Sequence, residues 1–194
     1  MHMKTISRRM AISLAAALAM GTSAFAQSAP QVKFQTSLGD FTLELYPEKA
    51  PKTVENFLQY VKDKHYDGTV FHRVIGSFMV QGGGYTQTMS EKATREPIAI
   101  ESQNGLKNER GTVAMARTQN PNSATAQFFV NVVDNGFLNF SAPTTQGYGY
   151  TVFGKVISGM ETIDKMRAVP TGNKGMFQNV PNTPIVINSA TLAK

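Results

Sequence analysis

The sequence contains no cysteine and no tryptophan, and three histidines of which one is His2. Without cysteine there is no disulfide, no thiol nucleophile and no thiolate metal site. His65 and His72 are too few for a zinc cluster, and no cofactor is expected. Charged residues make up only 16% of the chain, and the lysines are scattered rather than gathered into a basic stripe. That distribution excludes an evident nucleic-acid surface. The one uninterrupted run of apolar and small residues, Met10 to Met20, is shorter than the roughly 20 residues a spanning helix needs.

That run has its own meaning. Lys4, Arg8 and Arg9 precede it and Ala24-Phe25-Ala26 follows it in small-x-small order, the layout of a secretory signal peptide cut after Ala26. Residues 1–26 therefore read as a leader and 27–194 as one domain, exported and most simply placed in a periplasm, with no stable membrane insertion after cleavage. Ser7-Arg8-Arg9 leaves both the general and the twin-arginine export routes open. Cleaving 26 of 194 residues leaves 168, and loss of three cations lowers the net charge from +6 to +3. A monomer is expected, since no long apolar edge asks for a partner.

In order along the chain, VKFQTS and FTLELY alternate around Leu38-Gly39-Asp40, which predicts a hairpin. Pro47 and Pro51 introduce a helix whose Val54, Phe57, Leu58 and Val61 recur at helical spacing and form one apolar stripe. Residues 85–111 read as loops around a short strand at Ile98 to Ile100. GTVAMA (111–116), QFFVNVV (127–133) and YTVFGKVI (150–157) read as strands, Met160 to Met166 as a helix, 173–184 as irregular, and Ile185 to Leu192 as a closing strand beside the first. Many short strands with two helices predict a closed eight-stranded antiparallel β-barrel capped by two α-helices.

The stretch most unlike ordinary strand sequence is FHRVIGSFMVQGGG (71–84). By alternation Phe71 and Arg73 share one face and His72 and Val74 the other, and after a turn at Gly76-Ser77 Met79 and Gln81 share a face again. If the two runs pair, a fixed cation, an amide and a thioether converge on one apolar surface. A half-buried guanidinium costs free energy unless its donors are used. His72, on the opposite face, reads as a structural histidine; Ser77 lies nearby, but no carboxylate is placed to orient a hydrolytic triad. The three glycines lack the Lys-Ser/Thr of a phosphate loop and read as a tight turn.

Together with GTVAMA (111–116), SATAQFFVNV (123–132) and YTVFGKVISGME (150–161), this stretch resembles the cyclophilin family of peptidyl-prolyl cis-trans isomerases, in order and spacing across most of the mature chain. The leader, the Ala116-Arg117 junction and the Phe137-Leu138 pair followed by a loop and Tyr150 resemble the exported bacterial branch. The resemblance implies a barrel with a helix over each end, action on proline-containing polypeptides, and a role for each matched residue. Arg73 matches the catalytic arginine. Phe78, Met79, Phe129 and Leu138 match the proline pocket, Gln81 and Gln127 match polar groups that hold the peptide, and the backbone of Ala116 and Arg117 would pair with it. Phe137 stands where many members carry a tryptophan and Tyr150 where many carry a histidine, so cyclosporin binding is expected to be weak. Arg117 replaces an asparagine and would alter sequence preference around the proline. Two functions follow: an isomerase acting on exported folding proteins, or a non-catalytic proline-peptide-binding chaperone or adaptor built on the same groove.

Overall fold

The computed structural model describes residues 29–193, so the leader expected over residues 1–26 lies outside the described residues. Two strands open the fold, β1 (Gln31–Thr36) and β2 (Gly39–Leu45), paired in strict antiparallel register from Gln31 opposite Glu44 to Thr36 opposite Gly39. The cross-strand pair Phe34 and Phe41 stacks face to face at 4.9 Å, which pins that register. Helix α1 (Pro51–Lys62) follows, with proline in its first turn where a missing N–H costs nothing. Its apolar stripe buries Val54, Phe57 and Val61, and Phe57 contacts Phe34, Tyr66, Phe128 and Phe153.

The helix has no capping side chain of its own. Glu101, far along the chain, supplies one: its carboxylate accepts from the Lys52 and Thr53 amides at 3.1 and 2.8 Å and from the Thr53 hydroxyl at 2.7 Å. A carboxylate at a helix N-terminus satisfies free amides and complements the helix dipole.

Beyond α1 come β3 (Thr69–Val70), β4 (Arg73–Ile75), β5 (Met79–Gly82), β6 (Tyr85–Thr86), β7 (Thr112–Met115), β8 (Phe128–Asn131), a 3-10 turn at Gly136–Leu138, β9 (Val152–Ser158), α2 (Met160–Arg167), β10 (Thr171–Lys174), β11 (Phe177–Pro181) and β12 (Ile187–Leu192). Eight of these strands form one antiparallel sheet in the order β12-β1-β2-β9-β7-β8-β5-β4. The sheet curls around the core but does not close: β12 and β4 are its two free edges, so the architecture is an open half-barrel rather than the closed barrel expected. The physical reason lies at Phe71 and His72. The chain leaves the ladder there, and instead of a strand the seam is spanned by single backbone bonds, from Gly68 to Ile187 (2.8 Å) and from Phe71 to Ile185 (2.9 Å).

Other expectations shift for similar local reasons. Residues 173–184 are not irregular: β10 and β11 form an exposed hairpin whose polar sequence carries no alternation to reveal it. The strand expected at Ile98 to Ile100 is a single bridge from Ile98 to Ala124. α2 turns Ile163 and Met166 fully inward as its spacing requires.

The sheet has two apolar faces. Its concave face carries the core, including Phe34, Phe41, Phe71, Val74, Val80, Phe128, Val130 and Phe153. A separate, smaller cluster of Met79, Ala114, Phe129, Leu138 and Val152 lies on the other face, with Phe78, Ala116 and Tyr150 packed against it.

Candidate active site

The second cluster exists because strands alternate. On β5, Val80 points into the core while Met79 and Gln81 point out; on β8, Phe128 and Val130 point in while Phe129 points out; on β7, Val113 and Met115 point in and Ala114 out. Hairpin pairing puts Arg73 directly opposite Gln81 and Ile75 opposite Met79. The guanidinium donates from Nη1 to Gln81 Oε1 at 3.3 Å, and Gln81 in turn donates from Nε2 to Gln127 Oε1 at 3.0 Å. A cation held by a relay of two amides therefore borders a patch of buried apolar side chains. Arg73, Gln81 and Gln127 are all half-buried, so the groove is open to a ligand while the floor, Met79 and Phe129, is dry.

The expected site residues are brought together with four differences. Phe71 does not share a face with Arg73: the break between β3 and β4 turns it into the main core, fully buried. The N–H of Ala116 is committed to the Gln127 carbonyl at 2.9 Å, so only part of the backbone at 116–117 faces a ligand. Tyr150 lies just outside β9, its N–H bonded to the Leu138 carbonyl at 2.9 Å and its ring edge-on to Phe129 at 5.5 Å. Phe137 is not part of the buried floor; 76% exposed, it stacks on Phe78 at 5.5 Å and forms an apolar rim. The carbonyl of Phe78 is fixed from behind by Asn135 Nδ2 at 2.9 Å, and the same Nδ2 donates to Asn131 Oδ1 at 2.7 Å within a buried amide network.

Ala114 and Val152 complete the floor and were not singled out in the sequence. Their signal was available in the alternation of GTVAMA and YTVFGKVI, whose outward positions they occupy, but small or β-branched strand residues carry no chemistry that draws notice.

His72 sits behind Arg73 in an environment of its own. It is 5% exposed, its ring lies edge-on to Tyr85 at 4.7 Å, and its Nδ1 has no hydrogen-bond partner. Burial, with the neighbouring Arg73 charge adding to it, depresses its pKa to about 4, so the ring is neutral at pH 7. It borders a partly open cavity of about 340 Å³ lined also by residues of β10 and β11 and by Met89. Among the described residues no group of three or more His, Asp or Glu is placed to hold a metal ion, and no helix is long and apolar enough to cross a membrane.

Comparison with known proteins agrees with this geometry. Residues 31–192 match the family described as cyclophilin type peptidyl-prolyl cis-trans isomerase/CLD. The chain is 55% identical over 163 residues to peptidyl-prolyl cis-trans isomerase B of Escherichia coli (strain K12), covering 84% of this chain and 99% of that one. It is 54% identical over 170 residues to a peptidyl-prolyl cis-trans isomerase of Acinetobacter baylyi, covering 88% and 89%. A crystal structure of a cyclophilin type isomerase from Cryptosporidium parvum superposes with a TM-score of 0.70 at 27% identity, covering 86% of this chain and 98% of that one, and the same protein has been solved in the presence of the dipeptide Ala-Pro. An arginine held beside an apolar floor, on a half-barrel of this topology and at this level of identity, leads to one conclusion: the chain belongs to the cyclophilin-type peptidyl-prolyl cis-trans isomerases, enzymes that act on proline-containing peptides.

Proposed function

We propose that this isomerase acts through Arg73, whose guanidinium donates to the prolyl nitrogen as the X-Pro bond rotates in the groove. The observation that carries this reading is the position of Arg73 beside the Met79, Phe129 and Leu138 floor, with Gln81 as its only side-chain hydrogen-bond acceptor among the described residues. An X-Pro bond resists rotation because its nitrogen shares a lone pair with the carbonyl, a barrier of about 18–20 kcal/mol. In the twisted transition state the lone pair localises on nitrogen. A donor aimed there stabilises the twisted form more than the planar one, which is the requirement for catalysis. Arginine suits the task because it stays protonated and its fork is rigid.

Magnitude decides how the labour divides. A charge-assisted hydrogen bond contributes roughly 1.5–3 kcal/mol, while a thousandfold acceleration needs about 4 kcal/mol. The remainder comes from holding the proline ring on the apolar floor, from Gln81 and Gln127 gripping the rotating carbonyl side, and from exclusion of water. The Ala116 carbonyl and the Arg117 N–H receive the peptide backbone, Phe78 and Phe137 form a rim, and Phe137 in place of a tryptophan makes cyclosporin a weak ligand. The leader pattern of residues 1–26 supports export to a periplasm, with exported folding polypeptides as substrates; the N-terminus of protein recovered from the envelope fraction tests that part.

The test of the mechanism is cis-trans exchange of a short Ala-Pro peptide followed by NMR with catalytic amounts of protein. Arg73→Ala should abolish most of the acceleration while peptide resonances still shift on binding. Undiminished exchange in the variant removes Arg73 from the mechanism, and shifts without acceleration in the unaltered protein would leave only a proline-binding groove.

A further inference from the structure

We propose that the side chain of Arg117 is a positioning residue for the proline pocket, acting through Tyr150. The proposal rests on the reading of the groove given above. Arg117 follows β7 and is half-buried. Its Nε donates to the Gly149 carbonyl at 2.7 Å and its Nη2 to the Thr145 carbonyl at 3.0 Å, both in the loop before Tyr150. Its Nη1 donates to the carbonyls of Thr118 and Gln119 at 2.8 and 3.2 Å, in the loop that leads to β8. The guanidinium carbon lies 4.9 Å from the centre of the Tyr150 ring. That ring stands edge-on to Phe129, which is 4% exposed and belongs to the floor of the groove.

Two alternatives are weaker on the same observations. A cation kept for solubility would extend into water, whereas this one is wrapped by four carbonyls and a ring, with no carboxylate within 4 Å among the described residues. A cation kept to bind substrate directly would hold its donors free, whereas four of its five N–H groups are spent on the protein's own backbone. What remains is a staple. The fork joins two loops that have no helix or strand of their own, and the ring it covers is the wall against which Phe129 rests. Lysine could supply the charge but not the geometry, because an ammonium on a flexible stem cannot reach carbonyls on both loops from one fixed plane. The inference also changes what this residue means for specificity: it sets the position of the pocket wall rather than contacting the residues around the proline.

The test uses the full protein and the Ala-Pro exchange assay, with kcat and KM separated and thermal unfolding recorded alongside. Arg117→Ala should raise KM about fivefold and leave kcat within about twofold, since a loosened wall weakens the grip on the ring without removing the donor to nitrogen. Arg117→Lys should resemble Arg117→Ala, and the ring resonances of Phe129 should move in both. Glu101→Ala is the control for plain destabilisation: it uncaps α1, which packs on the face of the sheet opposite the groove, so it should lower the unfolding temperature with KM unchanged. If Arg117→Ala fails to fold, Arg117→Lys and Tyr150→Leu carry the same KM comparison. An unchanged KM in these variants overturns the proposal, full rescue by lysine reduces it to charge alone and overturns it too, and a collapse of kcat would make Arg117 a direct participant. Failure of the underlying mechanism would register separately, as unaltered kcat in Arg73→Ala.

Discussion

Acid should weaken this fold well before its carboxylates titrate, and His72 is the reason. The ring is 5% exposed, packed edge-on against Tyr85, adjacent to Arg73 and across a cavity that Lys174 also borders, with Nδ1 unpartnered. Burial first and the Arg73 charge second lower its pKa from 6.5 to about 4. The folded state therefore holds a proton on this ring more weakly than the unfolded chain does. The stabilising contribution is complete above pH 6.5 and is lost progressively as pH falls through 6.5 toward about 4. That interval corresponds to roughly 3 kcal/mol, a large share of the stability of an ordinary domain. The carboxylates whose pKa values are lowered, Asp40 by Lys33, Asp63 by Arg95 and Asp164 by Arg110, start from 3.8 and act only below this window. His65, buried and bonded to the Gly83 carbonyl at 3.1 Å, is lowered in the same direction and adds a smaller slope. Urea unfolding at several values between about pH 7 and about pH 4.5 measures the sum. His72→Phe keeps a ring against Tyr85 and removes the proton site, so its stability should be nearly flat over the window apart from the His65 share. An unchanged slope in that variant, or an NMR titration placing the His72 midpoint at its ordinary value, would refute the reasoning.

Three further outcomes follow from particular contacts. Gln127→Ala leaves the Gln81 amide without its acceptor and should lower kcat/KM roughly three- to tenfold in the exchange assay, with little change in unfolding temperature. Glu101→Ala exposes the first amides of α1 and should cost about 1–2 kcal/mol in urea unfolding, with kcat/KM unchanged because the helix lies away from the groove. Asn131→Ala removes a fully buried amide that donates to Asn108 at 3.2 Å and Thr112 at 2.9 Å and accepts from Asn135 at 2.7 Å. It should cost roughly 2–4 kcal/mol and also raise KM, since Asn135 fixes the Phe78 carbonyl.

What was legible in the sequence is what has a period. The first hairpin, α1, α2 and the outward set Met79, Gln81, Gln127 and Phe129 follow from spacing alone, because a strand or helix repeats the same geometric question at every residue. What was illegible is held by single contacts between distant segments. Nothing local marks Glu101 as the cap of a helix that begins at Pro51, or Asn108, Asn131 and Asn135 as one buried network. The inward turn of Phe71 and the open seam share a cause that alternation cannot announce, a two-residue departure from the ladder at Phe71 and His72. The β10–β11 hairpin escaped because both its faces are largely solvated, so neither needs apolar residues. Within the site, the side chains that the resemblance names lie near one another around the groove, but the commitment of the Ala116 N–H to Gln127 and of the Arg117 fork to four carbonyls is visible only in three dimensions.

The three glycines after Gln81 show how far the groove depends on the core behind it. A Cβ at Gly82 would meet the Phe71 ring at 2.8 Å, and one at Gly83 would meet Tyr66 at 2.8 Å and Phe128 at 3.0 Å. Gly83 also has a φ of +85°, a conformation that favours glycine. Bare backbone is therefore what lets the chain leave β5 across the aromatic core. At Gly84 the same bareness serves the other face: a Cβ there would lie 2.5 Å from Cγ of Gln127, the residue that accepts from Gln81. Tyr66 completes the link, its hydroxyl donating to the Ala126 carbonyl at 2.9 Å, one residue before Gln127. The amide relay to Arg73 is thus fixed by a turn that the core rings shape. Core packing and site geometry are, at this turn, the same constraint, and a change that relaxes one moves the other.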